Sequence, residues 1–181
     1  MGKVVSINLA EPRTLMRRGH ELTTGLWKRP VEGPVAVGRL GLEGDLVSDT
    51  RVHGGIDKAV YAYALEDVAW WEQQLGRELG PGFFGENLTL RGVDVSGARI
   101  GERWQIGSTL LEVSEPRHPC WKLAKKVGEP RFVKRFEQAG RPGAYLRVVS
   151  EGGMSVGDVV AVKPAPPGAP VLAPFAQEAL L

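Results

Sequence analysis

The sequence predicts a mainly β fold: a mixed, closed or half-closed β-barrel with a few helices. Three observations carry that expectation. The chain has 181 residues, 43% of them hydrophobic, enough for one well-packed core. Its 24 glycines imply many tight turns between short strands. Short strand-like runs are interrupted by a few helical patterns, with no repeating βαβ rhythm.

The elements follow in order. KVVSINLA (3–10) reads as an opening strand. ELTTGLWKRPVEG (21–33) carries another, broken by a turn, and PVAVGRLGLEGD (34–45) starts as a strand and dissolves into glycines. KAVYAYA (58–64) is a strand of mixed small and aromatic residues. LEDVAWWEQQLG (65–76) is an amphipathic helix, with Glu66 and Asp67 in the first turn, where the helix dipole favours acids. ENLTL (86–90) is a short strand, and ERWQIGSTLLEVSEP (102–116) is two strands around an Ile106-Gly107-Ser108 turn. CWKLAKKVGEPRFVKRFEQAG (120–140) is a short helix, a break at Gly128 to Pro130, and a second helix. GAYLRVVSEGG (143–153) and VGDVVAVKP (156–164) finish as a β pair. The expected barrel domain covers 1–163. A proline-rich tail, 164–181, follows, its last residues forming a helical turn that docks on Val171, Leu172 and Phe175.

Composition excludes several classes. A formal net charge of +2 does not suggest a nucleic-acid binder. No apolar run approaches the roughly twenty residues of a membrane helix. The opening MGKVVSINLA lacks a signal-peptide layout, and a single cysteine forms no internal disulfide, so a reducing cytoplasm is expected. P-loop, Rossmann, HExxH and GxSxG patterns are missing.

Four polar clusters remain. In GLEGDLVSDTRVHGGIDKAVYAY (41–63), Asp45, Asp49, Arg51, His53 and Asp57 precede a strand. Gly54 and Gly55 there let backbone amides approach a ligand, or the aspartates simply cap turns. In GPGFFGENLTLRG (80–92), Glu86 and Asn87 project polar groups at a strand start, and Asn87 offers a donor and an acceptor to a heterocycle edge or to its own backbone. In EPRHPCWKL (115–123), Pro119 pushes His118 towards extended geometry, where His118 and Cys120 share a side. Arg117, Lys122, Lys125 and Lys126 add positive charge that favours a thiolate; the alternative is a buried structural cysteine. In EPRFVKRFEQ (129–138), Phe132, Val133 and Phe136 anchor a helix whose Arg131, Lys134 and Arg135 form a solvated face or line an anion site.

The HGG, FGEN and PRxPC segments, in that order and followed by GAYLRVVSEGGMSVGDVV (143–160), resemble the MOSC family, named for the C-terminal domain of molybdenum cofactor sulfurase, and within it the stand-alone bacterial YiiM-like branch. The resemblance implies a mixed β-barrel of the pyruvate kinase β-barrel type and a molybdenum-pterin cofactor, with Cys120 as the metal ligand; a soft thiolate suits that role. It implies reduction of N-hydroxylated bases or related N-oxygenated compounds, with His53 and Asn87 beside Cys120 in the catalytic set. Arg51, His53, Gly54, Gly55, Glu86, Asn87, Arg117 and His118 are the candidate cofactor-binding residues. Pyridoxal phosphate belongs with the ligands the resemblance brings. Expected partners are a small-molecule substrate and a separate electron-donor protein, with no nucleic acid or membrane, in a monomer or homodimer. The alternatives are a non-catalytic cofactor or sulfur carrier, and a hydrolase or transferase in which Cys120 attacks with His118 or His53 as base.

Overall fold

The computed structural model describes residues 1–46 and 54–172. Strand β7 (Val60–Ala64) shows how its layers arise. All five residues are buried, because the strand has a core on each face. Val60, Ala62 and Ala64 point into one apolar cluster, Tyr61 and Tyr63 into another.

The first cluster fills a closed barrel. Its strands are β1 (Gly2–Ala10), β7, β8 (Leu88–Arg91), β9 (Arg103–Ile106), β10 (Thr109–Pro116), β11 (Ala144–Ser150) and β13 (Val159–Lys163). They run β13-β9-β10-β11-β7-β8-β1, and β13 pairs back onto β1, which leaves no open edge. One pair, β7 with β8, is parallel, which makes the sheet mixed. That pair needs a crossover, supplied by helix α1 (Leu65–Leu75). Register shifts between Val4 and Ser6, and twice within β10, bend the strands round. The expected mixed, closed barrel is therefore found.

Helices α1, α2 (Trp121–Val127) and α3 (Phe132–Gln138) cover the outside of β7 and β11. Their Trp71, Leu123, Phe132 and Phe136 meet Tyr61, Tyr63, Phe84 and Tyr145 in the second, aromatic cluster. The expected break between α2 and α3 falls at Gly128, whose φ of 87° ends α2. Asp67, at the start of α1, is tied to Arg141 and to the Ser96 hydroxyl at 2.8 Å.

Three expectations change. Residues 143–153 and 156–164 do not pair with each other: β11 lies between β10 and β7, while β13 lies between β9 and β1. Barrel closure separates these consecutive strands, and the short β12 (Gly152–Met154) pairs instead with β5 (Val35–Gly38), which turns into β6 (Gly41–Leu42). Residues 13–24, of which only the second half was anticipated, form a hairpin of β2 (Arg13–Arg17) and β3 (His20–Thr24), ahead of β4 (Lys28–Pro30) on β1. Finally, the chain beyond Lys163 still packs on the barrel. The Leu172 amide donates to Ala98 O at 2.8 Å, and its side chain is fully buried in the barrel core. The helical turn expected around Phe175 lies outside the described residues.

Candidate functional site

A cleft opens where residues 24–28, Asp45–Leu46, β7, Gly85–Asn87 and the segment linking β10 to α2 converge. Its floor is the polar edge of the aromatic cluster, Tyr61 and Tyr145. Burial pushes the pKa of both phenols up, against the nearby Arg117, so both are neutral near pH 7.

Cys120 is a free, half-buried thiol in this cleft. It is the residue before α2, with extended backbone (φ −129°, ψ 172°), and its side chain makes no capping hydrogen bond. The helix instead uses the Cys120 carbonyl, which accepts from Leu123 N at 3.0 Å. The sulfur therefore has no structural duty in the helix start.

Arg117, only 4% exposed, lies beside it. The guanidinium sits over the rings of Tyr61 (5.3 Å) and Phe136 (5.7 Å). Burial alone would lower its pKa; Tyr61, Tyr145 and Cys120 in their ionised forms outweigh burial and hold it above the ordinary value, an answer that the neutral phenols do not give near pH 7. Its Nη1 is buried with no hydrogen-bond partner among the described residues. Lys122, 9% exposed, also lines the cleft. No ion pair engages Arg117 or Lys122 among the described residues. Two buried cations without counter-charge are costly unless an anion joins them.

The other cations are answered. Lys28 Nζ donates to both oxygens of Asp45 at 2.7 Å, and both side chains are buried. Burial lowers the Lys28 pKa and Asp45 opposes the shift. Lys58 pairs with Glu115 at 3.5 Å. Asp45 also accepts from Ala10 N (2.8 Å) and Asn87 Nδ2 (2.7 Å), which ties β1, β4 and the start of β8 together beneath the cleft. Residue 25 must be glycine: a Cβ there would lie 2.2 Å from the Leu46 carbonyl oxygen.

Behind this wall, Lys126 lies between the rings of Trp27 (5.4 Å) and Phe83 (5.0 Å) and donates to Leu26 O at 3.3 Å. Burial lowers its pKa to about 8, with Glu86 opposing and Arg117 reinforcing the shift.

The structure brings together part of the expected set. Cys120 and Arg117 line one cleft with Asn87, although the chain separates Asn87 widely from both. Asn87 is not free to read a heterocycle or to cap its own turn. Its Nδ2 reaches Asp45 and Asn8 O (3.3 Å), and its Oδ1 accepts from Tyr61 N (3.1 Å), so it brackets three strands. Glu86 is fully buried behind the cleft, where it accepts from Gly82 N (2.7 Å), Phe84 N (3.0 Å) and the Thr89 hydroxyl (2.9 Å). Burial raises its pKa while these bonds hold it down. Gly54 and Gly55 are not among the lining residues, and Asp49, Arg51 and His53 lie outside the described residues.

His118 is a correction. It is exposed, whereas Arg117 and Cys120, three apart, share the cleft. The stretch after Pro116 is irregular and β10 is bulged just before it, so two-residue alternation does not apply. Lys28, Lys58, Tyr61 and Tyr145 were not among the residues expected at the site, and Lys122 was expected only as positive charge near Cys120. The YAYA alternation was the available signal for Tyr61. Lys28 has none, because its acid partner lies 17 residues away.

Three comparisons with known proteins agree on the relationship. The MOSC domain model matches residues 49–161. YflK of Bacillus subtilis is 42% identical over 154 residues, which span 85% of this chain and 70% of YflK. A Gibberella moniliformis protein named reductase is 34% identical over 80% of this chain, but only 26% of its own length is matched. YiiM of Escherichia coli is 32% identical over 71% of this chain and 58% of YiiM. The crystal structure of YiiM from Geobacillus stearothermophilus superposes with a TM-score of 0.77 at 35% identity, covering 96% of this chain and 80% of that one. A barrel closed in this way, a cationic cleft around one free thiol and this coverage by the family model lead to one conclusion: the chain belongs to the MOSC domain family.

Proposed function

We propose that the chain is a molybdenum-pterin-dependent oxidoreductase that reduces N-hydroxylated bases or related N-oxygenated compounds. The observation that carries this reading is the pairing of a free thiol with two uncompensated buried cations, Arg117 and Lys122, in one cleft. A molybdenum pterin has matching chemistry: a thiophilic metal and an anionic phosphate. Pyridoxal phosphate would use the anion-binding cations but leave the thiol without a role.

In this reading Cys120 is the metal ligand, and Arg117 with Lys122 holds the phosphate, Arg117 being suited to bidentate contact. When bound, the cofactor supplies the two-electron removal of oxygen from nitrogen. Tyr61 and Tyr145 wall the reaction from water, and the Lys28–Asp45–Asn87 bracket keeps the walls in register. For a cysteine hydrolase, the exposed His118 does not line the cleft, so the base would have to be His53, which lies outside the described residues. The reductase name of the fungal relative supports the oxidoreductase reading.

The test is turnover of a panel of N-hydroxylated purines and amidoximes by cofactor-reconstituted protein, with dithionite-reduced methyl viologen as donor. Wild type should produce the amine or amidine, and Cys120→Ser should fall by on the order of several hundredfold. A loaded protein that reduces nothing in the panel would point to a cofactor carrier; equal turnover in the serine variant would remove Cys120 from the mechanism.

A further inference from the structure

We infer that the β2–β3 hairpin, together with the exposed side of α2, is the docking face for a small acidic electron-carrier protein. The inference rests on the reductase reading, since that reaction consumes two electrons. Two one-electron carriers are oxidised, the N–O bond breaks, two protons are taken up, and the oxygen leaves as water.

The hairpin is built unlike the rest of the molecule. It joins neither the barrel nor the small β12–β5–β6 sheet. An isolated two-stranded hairpin is marginal in water. Here it is held to the body by cations on rings: Arg13 over Trp27 at 5.4 Å and Arg17 over Trp121 at 4.7 Å. Nearly all its residues are exposed, including Met16 at 53%. Its tip is a two-residue turn in which Arg18 has φ 50° and Gly19 φ 80°. The left-handed region at the first of these positions favours Asn, Asp or Gly, so an arginine is presented there at a cost in strain.

The charge is local and lies at the start of α2. Trp121, under Arg17, is the residue next to Cys120. Lys125 follows it one turn later on α2 and is exposed. No ion pair engages Arg17, Arg18 or Lys125 among the described residues. Against a net charge of only +2, this is a concentrated basic patch. Such a patch steers an acidic partner, and the half-buried indole beneath it belongs to the residue that follows Cys120 in the chain.

The test measures binding and turnover separately. The probe is a plant-type [2Fe–2S] ferredoxin, titrated into the full chain at low and physiological salt. Its binding should weaken by roughly tenfold or more in Arg17→Glu/Arg18→Glu/Lys125→Glu and lose most of its salt dependence. Lys163→Glu should bind as wild type does. In reconstituted protein, the triple variant should raise KM for reduced ferredoxin, and Arg17→Glu/Arg18→Glu should leave turnover with methyl viologen unchanged. No ferredoxin binding by wild type at low salt, or equal binding by the triple variant, overturns the docking face. So does tighter binding of a single-stranded oligonucleotide at the same residues. Failure of turnover with methyl viologen counts against the reductase reading alone, because ferredoxin binding needs no turnover.

Discussion

The two apolar clusters on either side of β7 differ in kind. The barrel core is mostly aliphatic and closed, and the residues packed in it, such as Ile7, Leu88, Leu111 and Leu146, carry no charge. The outer cluster is ringed with Tyr, Trp and Phe, and cations are set against its rings: Arg117 on Tyr61 and Phe136, Arg135 on Trp71, Arg141 on Trp70. A purely aliphatic wall could not hold an unpaired guanidinium, because nothing there answers its charge. Ring faces and neutral phenols can. The barrel thus supplies rigidity, and the aromatic annex supplies a place for positive charge beside Cys120.

Substitutions on the two sides should separate these roles. The largest effect on stability belongs to the barrel: Leu111→Ala should cost about 2–5 kcal/mol by chemical denaturation, since a fully buried leucine leaves a cavity. At the cleft, Gly25→Ala should cost about 1–3 kcal/mol, because its Cβ meets a backbone carbonyl that cannot turn away. A Gly25→Ala protein as stable as wild type would show that residues 25 and 46 are not braced against each other.

Lys126 sharpens the contrast through pH. Its folded pKa, about 8, lies below the ordinary 10.5. Below pH 8 both folded and unfolded chains bind the proton, and the full cost of burying the charge is present. Between pH 8 and 10.5 the unfolded chain binds more protons, so this cost fades as pH rises. Lys126→Met should therefore be more stable than wild type at pH 7, by roughly 1–3 kcal/mol, and the gap should narrow above pH 8. A gap constant from pH 6 to 10 would mean that Lys126 is not desolvated.

The smallest stability effects are expected at the residues on which the proposed function depends most. Arg117→Met keeps the packing on Tyr61 and Phe136 and removes an unpaired buried charge, so the empty protein should stay within about 1 kcal/mol of wild type. Cys120→Ser, at a half-buried position without capping duty, should change melting temperature little. A large loss in the serine variant would restore the reading of Cys120 as a structural thiol.

Much of this division was legible in the sequence, for physical reasons that differ by element. The strand and helix patterns were readable because one face of each is apolar, and α2 ended at Gly128 as its residue type required. The β2–β3 hairpin was half hidden because RTLMR lacks strand alternation and its turn is Arg-Gly, not Asn-Gly or Asp-Gly. The parallel β7–β8 pair was hidden because one crossover makes no rhythm. At the site, Cys120 and Arg117 were legible from PRxPC. The side taken by His118 was not, since bulges in β10 reset which residues face inward. The burial of Lys28 was not either, because it depends on Asp45 and Asn87, distant in the chain.

The most direct test of the charged cleft is anaerobic reconstitution with molybdenum pterin, followed by elemental analysis of molybdenum per chain in wild type, Arg117→Met and Cys120→Ser. Wild type should approach one molybdenum per chain, and Arg117→Met should bind the cofactor at least about tenfold more weakly through loss of the phosphate contact, while remaining folded. Cys120→Ser should keep part of its affinity through the cations. Wild-type loading below about a tenth of a molybdenum per chain, or full-strength binding in Arg117→Met, would contradict the claim that the unpaired cations of this cleft are there for the cofactor's phosphate.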